Sequence, residues 1–324
     1  MLPKISFVTP MKEKDFRVIE MLKSIRSQNY PQNKIEIIII DGGSNPEVLQ
    51  ACKEYKVKIY DNPKQLAEGA GMGKDQGIWK SKGELIVISE SDIEYIEKDW
   101  IRNMIKPFKE NKNIFATMPK LFVHPRDNVI NRYLSYVGVD PFAIYRSLEG
   151  QLGLGVNLKE IKKKGYFLLK LNKEAPFCFG SNGFMFKREL INEVGDYAQD
   201  VEFIARLANA NYCDFAVVEN ASVWHKNVGG LYDFIRKRIK WTRNYSKYYV
   251  KQKKDFNWIT NKKEFFFYVL KNMLIFPQIP ISISRAVYFK DSAWLFHAPL
   301  MFFSTGLNIY FTFNSNSMWK QVFG

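Results

Sequence analysis

Cysteine is scarce in this sequence of 324 residues, and no leader segment is recognisable. Cys52, Cys178 and Cys213 are odd in number, far apart and without a CxxC pair. This pattern argues against a disulfide framework or a zinc site and favours a reducing compartment. No apolar run precedes the first predicted strand, residues 5–9, so we expect no signal peptide and a cytoplasmic N-terminal part.

Acidic residues are outnumbered, with 33 Asp+Glu against 48 Lys+Arg and a formal net charge of +15. Such an excess indicates a polyanionic partner: a nucleic acid, an anionic membrane surface or a phosphorylated substrate. Aromatic residues make up 15% of the chain and crowd toward its C-terminal end, which favours membrane lipids over nucleic acid. We therefore expect no nucleic acid as a partner. A nucleic-acid-binding protein is the alternative, and it predicts strongly salt-dependent binding.

A short apolar run leads into acidic residues at positions 84–94, ELIVISESDIE. Residues 85–88 predict a central parallel strand that is buried on both faces. Glu90 and Asp92 follow its carboxyl end, where open α/β sheets bind their ligands. Two carboxylates in this arrangement can hold a hard divalent cation, which in turn can bind a diphosphate. Taken alone, the pair also fits an ordinary acidic turn.

Strands alternate with helices through the first 90 residues, which predicts a mostly parallel, Rossmann-like sheet. Residues 69–74 are rich in glycine and predict a loop that opens a helix ending near Lys80. The spacing is not that of a phosphate-binding P-loop, because Asp75 follows Lys74. A loop that delivers Lys74 to a phosphate and a flexible surface loop both remain open.

Five motifs in order resemble the nucleotide-binding half of family 2 inverting glycosyltransferases. They are the strand at 5–9, LKSIRSQNYP at 22–31, IIIIDGGS at 37–44, GMGK at 71–74, and KGE at 82–84 running into SESD at 89–92. The resemblance covers about residues 4–243 and implies a GT-A fold, an α/β domain with a mixed, mostly parallel sheet. It also implies a nucleotide-sugar donor and Mg²⁺ or Mn²⁺.

The resemblance also implies roles for individual residues. The aspartate of the DGGS strand, which recognises the nucleotide base, corresponds to Asp41. The DxD motif corresponds to Glu90-Ser91-Asp92, with glutamate in the first place. A histidine after a later strand, here His225, commonly approaches the metal or the diphosphate. The expected donor-binding residues are Thr9, Pro10, Asp41, Gly71, Lys74, Glu90, Ser91 and Asp92, and the expected metal ligands are Asp92, Glu90 and His225.

The second half of the predicted site lies near residues 180–206. The turn Gly180-Ser181-Asn182-Gly183 resembles the segment beside the donor sugar and the acceptor. QDVEFIAR at 199–206 resembles the family pattern that carries the general base, which corresponds to Asp200, while Gln199 on the acceptor side replaces a glutamate. One base suffices for the single displacement of an inverting transfer. From the residues alone, Asp200 also fits a helix N-terminus favoured by the helix dipole.

Residues 231–243 predict a basic amphipathic helix at a membrane interface. KRIKW at 237–241 resembles the QxxRW motif of cellulose-synthase-like membrane glycosyltransferases. The resemblance implies acceptor-side roles for Lys237, Lys240 and Trp241. Two of the three motif positions differ, so a single transfer is expected rather than polymerisation.

Two apolar stretches follow near the C-terminal end. Residues 265–289 contain only Lys271 and Arg285 as charged residues, and residues 293–313 contain none. The second stretch is about long enough to span a bilayer core, so we predict a transmembrane hairpin whose first arm spans or re-enters. A buried helical pair is the alternative. The predicted division is a catalytic domain at 1–230, an interfacial region at 231–263 and the hairpin at 264–324, in a multi-pass cell-membrane protein with its catalytic domain cytoplasmic.

These expectations define a membrane-associated enzyme that transfers a hexose to a lipid-linked acceptor on a polyprenyl or dolichyl carrier, of the kind used in N-glycan biosynthesis. A likeness to archaeal membrane mannosyltransferases favours GDP-mannose as the donor, with UDP-hexoses close behind. One alternative is a polyprenyl-phosphate hexose synthase. Another is a non-catalytic scaffold that binds nucleotide sugars at the membrane.

Overall fold

The computed structural model describes residues 1–62, 69–154, 160–174, 176–197, 199–247 and 259–323. In chain order the elements are β1 (Ile5–Met11), α1 (Arg17–Arg26), β2 (Ile35–Asp41), α2 (Pro46–Lys53), β3 (Lys58–Asp61), α3 (Gly69–Lys80), β4 (Leu85–Ile88), β5 (Ile93–Tyr95), α4 (Trp100–Glu110), β6 (Ala116–Leu121), α5 (Val129–Val137), α6 (Leu148–Leu154), β7 (Glu160–Lys163), β8 (Tyr166–Lys170), β9 (Met185–Lys187), α7 (Leu190–Val194), α8 (Asp200–Asn209), β10 (Asp214–His225), α9 (Leu231–Lys247), α10 (Lys262–Met273), α11 (Ile279–Phe289), α12 (His297–Phe313) and α13 (Asn316–Phe323). Short 3₁₀ turns cover Gln32–Lys34, Pro141–Tyr145, Phe276–Gln278 and Ser292–Phe296.

The chain divides into two compact units. The first, which we call the sheet unit, comprises Met1–Phe122 and Asn157–His225; the second, the helical unit, comprises Val123–Val156 and Lys226–Gly324. The predicted end of the catalytic domain at residue 230 lies close to His225. The described residues 123–154, which that prediction assigned to the catalytic domain, instead pack with the C-terminal helices, because Tyr133 and Leu134 of α5 share one apolar cluster with Trp294 and Met301.

One mixed sheet forms the core of the sheet unit. Its strand order is β3-β2-β1-β4-β9-β6-β10-β8-β7, with β5 paired to β10. β3, β2, β1 and β4 are parallel to one another, while β9 runs antiparallel between β4 and β6. The residues of β2 and β4 are buried throughout, which explains their almost unbroken apolar sequences. The predicted mixed, mostly parallel α/β sheet is confirmed.

The glycine-rich stretch at 69–74 is helical, so the predicted loop is wrong. It forms the first turns of α3, which packs on β1. A Cβ at Gly77 would lie 2.4 Å from Val8 Cγ1, and one at Gly73 would lie 2.8 Å from Pro10 Cβ. These glycines therefore serve close contact between helix and strand rather than a flexible loop.

Glu36 is a buried carboxylate on β2 that joins several parts of the sheet unit. It accepts hydrogen bonds from Ser6 Oγ at 2.5 Å, from Lys58 Nζ at 2.6 Å and from the Lys82 amide at 2.7 Å. Burial tends to raise the pKa of Glu36, but these hydrogen bonds outweigh it and the pKa is lowered. The charged form is thus the one that the fold stabilises.

We expect Glu36→Ala to lower the free energy of unfolding by about 2 kcal/mol at about pH 7, because buried donors lose a charged acceptor. A lowered pKa contributes stability above the ordinary value of 4.5, and this contribution disappears as the pH falls through the folded-state pKa. Urea unfolding of both proteins should therefore show a difference in the free energy of unfolding that narrows as the pH falls below 4.5. Glu54→Ala, at an exposed position, serves as the control; a gap independent of pH would contradict this account.

The C-terminal helices differ from the predicted transmembrane hairpin. Within the described residues, no single helix combines the length and apolar character needed to cross a bilayer. α10 and the helical stretch Phe276–Phe289 meet that requirement only together, and they bend by 92° at the break between them. The break falls at Ile275, whose φ is +60°, directly before Phe276-Pro277. The predicted first arm is thus two helices, and the hairpin is not supported.

Candidate active site

The acidic segment at positions 90–92 lies directly beyond the carboxyl end of β4. The Ser89 amide still donates to Val8 O at 2.9 Å, and β5 begins at Ile93. The turn before β9 is attached to the same strand end, because the Gly183 amide donates to Ile88 O at 2.8 Å. The sequence thus places the carboxylates and the glycine-containing turn at one edge of the sheet, where open α/β sheets bind ligands.

Lys74 connects two of the predicted site carboxylates. Its Nζ lies 2.9 Å from Glu90 Oε1 and 3.1 and 3.2 Å from the two carboxylate oxygens of Asp200. The lysine side chain is almost fully buried, while Glu90 and Asp200 retain 20% and 27% of their side-chain exposure. One buried cation therefore holds two carboxylates that still face solvent.

The electrostatics of this cluster keep the lysine charged. Burial alone would lower the pKa of Lys74, but the negative charges of Asp200 and Glu90 outweigh it and the pKa is raised. Burial raises the pKa of Glu90, and the charges of Asp200 and Asp92 add to that rise while Lys74 opposes it. Lys74 is thus protonated throughout the physiological range, and Glu90 takes up a proton more readily than an exposed glutamate does.

The N-terminus of α8 presents Asp200, as the sequence predicts. Gln199 is the N-cap residue of this helix. Asp75, the residue after Lys74 on α3, supports the segment before α8, because its Oδ1 accepts a hydrogen bond from the Tyr197 amide at 2.9 Å. The Tyr197 hydroxyl donates to Gly180 O, which ties the turn at 180–183 to the same place. Two successive residues of α3 therefore position this region: Lys74 contacts Asp200, and Asp75 binds the backbone at Tyr197.

Asp92 and His225 form a second pair at this edge. His225 Nε2 lies 3.3 Å from Asp92 Oδ1, because β10 pairs antiparallel with β5 and sets His225 opposite Ile93. A carboxylate and an imidazole can ligate Mn²⁺, and a diphosphate with water can complete the coordination. The parts of the chain that the structure describes contain no group of three or more His, Cys, Asp or Glu suited to a metal. Asp92 and His225 fit a metal whose other ligands come from the substrate. The carboxylate of Glu90, in contrast, is paired with Lys74.

Asp41 ends β2 near the site edge and is nearly buried. Its carboxylate accepts hydrogen bonds from the Gly43 amide at 3.1 Å and the Ser44 amide at 3.0 Å. These bonds order the DGGS turn. Ser91 Oγ donates to Glu13 Oε1 at 2.5 Å, which joins the acidic segment to the loop after β1.

Two buried oxygens at the site edge lack a hydrogen-bond partner among the described residues. They are Thr9 Oγ1 on β1 and Asn182 Oδ1 in the turn before β9. Asn182 has φ of +53° and lies between Gly180 and Gly183, whose φ values are +129° and +90°. A side chain at Gly180 would meet Tyr197 Oη at 2.9 Å and Asp200 Cβ at 3.1 Å. The turn therefore packs directly against the predicted base.

The remaining predicted residues lie on four elements of the fold. Pro10 lies on β1 and Gly71 in α3, while Ser181 belongs to the turn. Lys237, Lys240 and Trp241 lie on α9 of the helical unit, where Lys240 and Trp241 are exposed. The buried cation of that helix is Arg238, which lies 2.6 Å from Asp140 Oδ2. The acceptor-side roles of the α9 residues remain predictions.

Sequence reasoning missed Glu13, Asp75 and Tyr197. Asp75 was noticed only because it breaks the P-loop pattern, and its carboxylate proves to anchor the segment before Asp200. Tyr197 and Glu13 lie in connecting segments that carry no periodic signal. Their proximity to the site depends on contacts between residues distant in sequence.

Two curated relatives illustrate the sequence similarity. The chain is 33% identical to glucosyl-3-phosphoglycerate synthase of Petrotoga mobilis over 110 residues, which are 32% of this chain and 34% of that protein. It is 25% identical to the poly(ribitol-phosphate) beta-N-acetylglucosaminyltransferase TarS of Staphylococcus aureus over 103 residues, which are 31% of this chain and 18% of that protein. The match therefore spans about a third or less of these relatives.

Solved structures share the fold over nearly the whole chain. The mannosyltransferase of Pyrobaculum calidifontis, solved with GDP-Man and Mn²⁺, superposes with a TM-score of 0.56 at 14% identity, covering 95% of this chain and 87% of that one. S. aureus TarS 1–349 with UDP-GlcNAc gives 0.52 at 12% identity, covering 96% and 92%. These similarities establish the GT-A fold.

The profile of Glycosyl transferase family 2 matches residues 6–195, more than half of the chain. The chain therefore belongs to glycosyltransferase family 2.

Proposed function

We propose that this glycosyltransferase moves a hexose, with inversion, from a nucleotide sugar to a lipid-linked acceptor at the cytoplasmic face of the cell membrane. The observation that carries the proposal is the meeting of Glu90 and Asp200 around Lys74 at the carboxyl edge of the sheet. Asp200 is the carboxylate available to accept the proton of an acceptor hydroxyl. Lys74 Nζ contacts both of its carboxylate oxygens and holds them at the edge of the sheet.

The donor would lie along the edge from β2 to β4. Asp41, held by the amides of its own turn, is positioned for the nucleotide base. Asp92 and His225 would hold a divalent cation, which would stabilise the charge of the leaving nucleoside diphosphate. The unpartnered oxygen of Asn182 accepts from a sugar or acceptor hydroxyl at the turn beside Asp200.

GDP-mannose is the preferred donor in this proposal, and UDP-hexoses follow. The P. calidifontis mannosyltransferase that shares the fold was solved with GDP-Man and Mn²⁺. A curated relative from Methanococcus voltae, 28% identical over 115 residues, is named for transfer to a dolichyl N-acetylglucosaminyl phosphate. The lipid-linked acceptor is consistent with that relative and with the exposed apolar surface of the helical unit.

Donor turnover by the full-length protein tests the proposal. We expect one of GDP-mannose, UDP-glucose, UDP-galactose or UDP-GlcNAc to be consumed with Mn²⁺ or Mg²⁺ when lipid extract is present, and EDTA to stop the reaction. Asp92→Ala should lower turnover by at least about 10²-fold, because the leaving diphosphate loses its metal ligand. Asp99→Ala, at an exposed position on the sheet unit, should leave turnover unchanged.

Two outcomes would contradict the proposal. If none of these donors is consumed even with native lipid extract, the chain binds nucleotide sugars without catalysing transfer, as the scaffold alternative holds. If turnover survives EDTA and Asp92→Ala, the assignment of the metal pair is wrong while the family remains.

A further inference from the structure

The helical unit exposes apolar side chains and buries polar ones along its C-terminal helices. Phe266 and Leu270 on α10 and Leu274 directly after it are exposed at helical spacing. On α11 the exposed residues include Ile279, Ile283 and Val287. Phe276, at the corner between the two helices, has 77% of its side chain exposed. Together these residues define an exposed apolar V, which we call the wedge. Exposed contiguous apolar surface of this kind marks a contact with a partner or a membrane.

The opposite side of the same helices carries buried polar side chains that form a hydrogen-bonded chain. Asn272 Nδ2 donates to Thr305 Oγ1 at 3.1 Å, and Gln278 Nε2 donates to Asn272 Oδ1 at 2.5 Å. Gln278 Oε1 lies 3.2 Å from His297 Nε2, and His297 Nδ1 lies 2.8 Å from the Tyr133 hydroxyl. Four buried polar residues of this region therefore bond to one another inside the unit: Asn272, Gln278, His297 and Thr305. Such an arrangement suits an apolar environment on the outside.

The charges around the wedge match a lipid headgroup layer. Between Phe265 and Lys290 the sequence has no acidic residue, and it has three cations: Lys271, Arg285 and Lys290. Lys271 and Lys290 are exposed. Long basic side chains beside buried apolar ones can reach the headgroup level, where anionic lipids attract them. This favours a bilayer over an apolar protein partner.

The turn between α11 and α12 argues against a spanning hairpin. Asp291 binds Arg132 of α5 through Nη2 at 3.1 Å and accepts from the Tyr136 hydroxyl at 3.3 Å. Phe289 stacks on Trp294, and both rings contact Tyr136. A hairpin tip on the far side of a membrane would therefore have to carry α5 with it.

The connection between β6 and α5 is too short to cross a bilayer. α5 begins at Val129, eight residues after the end of β6 at Leu121, and eight residues reach at most about 29 Å. The two surfaces of a bilayer are about 40 Å apart. A segment of this length cannot connect a strand on one side of a bilayer to α5 on the other side.

We infer that the helical unit is monotopic, with the wedge of α10 and α11 inserted into one leaflet of an anionic bilayer and the turn at Lys290–Asp291 on the face of the bilayer from which the wedge enters. The inference deepens the proposed function, since it explains how the enzyme meets a lipid-linked acceptor. Its test is membrane binding, which does not depend on sugar transfer.

Flotation of full-length protein with vesicles measures the insertion directly. We expect the protein to float with phosphatidylcholine vesicles that contain phosphatidylglycerol, and binding to fall several-fold when the anionic lipid is left out. The double variant Phe276→Asp/Ile283→Asp should lower partitioning at least tenfold, because two exposed apolar anchors become charged. Trp79→Asp is the matched control in the sheet unit, since Trp79 is 51% exposed and Ile283 is 53% exposed.

Labelling with a membrane-impermeant maleimide separates one-leaflet insertion from spanning. In vesicle-bound Lys290→Cys, the added thiol should react from outside as fast as it does in detergent, with the parent protein as background. Protection until the vesicles are lysed would overturn the inference in favour of a spanning hairpin. Failure to float, with light scattering showing a dimer that Phe276→Asp dissociates, would overturn it in favour of a second copy covering the wedge. Donor turnover in detergent, measured on the same proteins, reports separately on the proposed function.

Discussion

Asp200→Asn should lower transfer to the lipid-linked acceptor by about 10³-fold, with little change in donor affinity. The amide keeps the shape of the side chain and can still accept a hydrogen bond from Lys74, but it cannot take the proton of an acceptor hydroxyl. Steady-state kcat and KM for the donor, measured on purified full-length protein, give the two quantities separately.

Asp196→Asn is the matched control for this substitution. Asp196 precedes the same helix, is mostly exposed and lies 3.2 Å from Arg206, so its loss should change kcat less than about twofold. The result also separates the two acceptor chemistries. A phosphate oxygen needs no strong base, so a polyprenyl-phosphate hexose synthase would retain activity as Asp200→Asn. Near-normal kcat in that variant would therefore move the proposal to that alternative.

Local patterns were enough to locate the site edge. The strand predicted at 85–88 is β4, whose four successive apolar residues are all buried in the sheet. Glu90 and Asp92 follow it, and Asp200 begins α8, as their neighbours in sequence predict. Each of these features depends on residues within one turn or one strand, which a sequence pattern represents directly.

Features that depend on distant contacts were not predictable in the same way. Glycine propensity favours a loop at 69–74, but the tight packing of α3 on β1 requires small residues and makes the segment helical. The apolar composition of 265–289 favours one long helix, yet the backbone breaks at Ile275 and turns again at Lys290, both with positive φ. The polar interior that these helices share depends on side chains up to 33 residues apart, such as Asn272 and Thr305.

Lys74 is the clearest example of a role that tertiary structure creates. The sequence leaves open whether this lysine reaches a phosphate, and nothing in the pattern around it indicates a contact with Asp200, 126 residues away. The structure makes it the cation shared by Glu90 and Asp200. The donor-binding role of Lys74 also remains a prediction. A metal and a diphosphate bound at Asp92 would change the charge around Glu90 and so the contact between Glu90 and Lys74.

We expect Lys74→Met to lower kcat by about 10²-fold and to move the acid limb of the pH–rate profile to higher pH. Without the cation, Glu90 and Asp200 face each other as two carboxylates. The attraction of Lys74, which lowers the pKa of Glu90, is lost, so Glu90 takes up its proton at still higher pH. Lys74→Arg keeps the charge and should preserve the profile even if the rate falls. A profile of unchanged shape in Lys74→Met would mean that the lysine only fills space.

The same variant makes a stability prediction of definite sign. The pKa of Lys74 is raised in the folded state, so its charge contributes stability below the ordinary lysine value of 10.5 and loses that contribution as the pH rises through the folded-state pKa. The melting temperature of Lys74→Met should therefore lie below that of the parent at neutral pH, and the gap should close only above about pH 10.5. Closure of the gap near neutrality would show that Lys74 is not the protonated partner of Glu90 and Asp200.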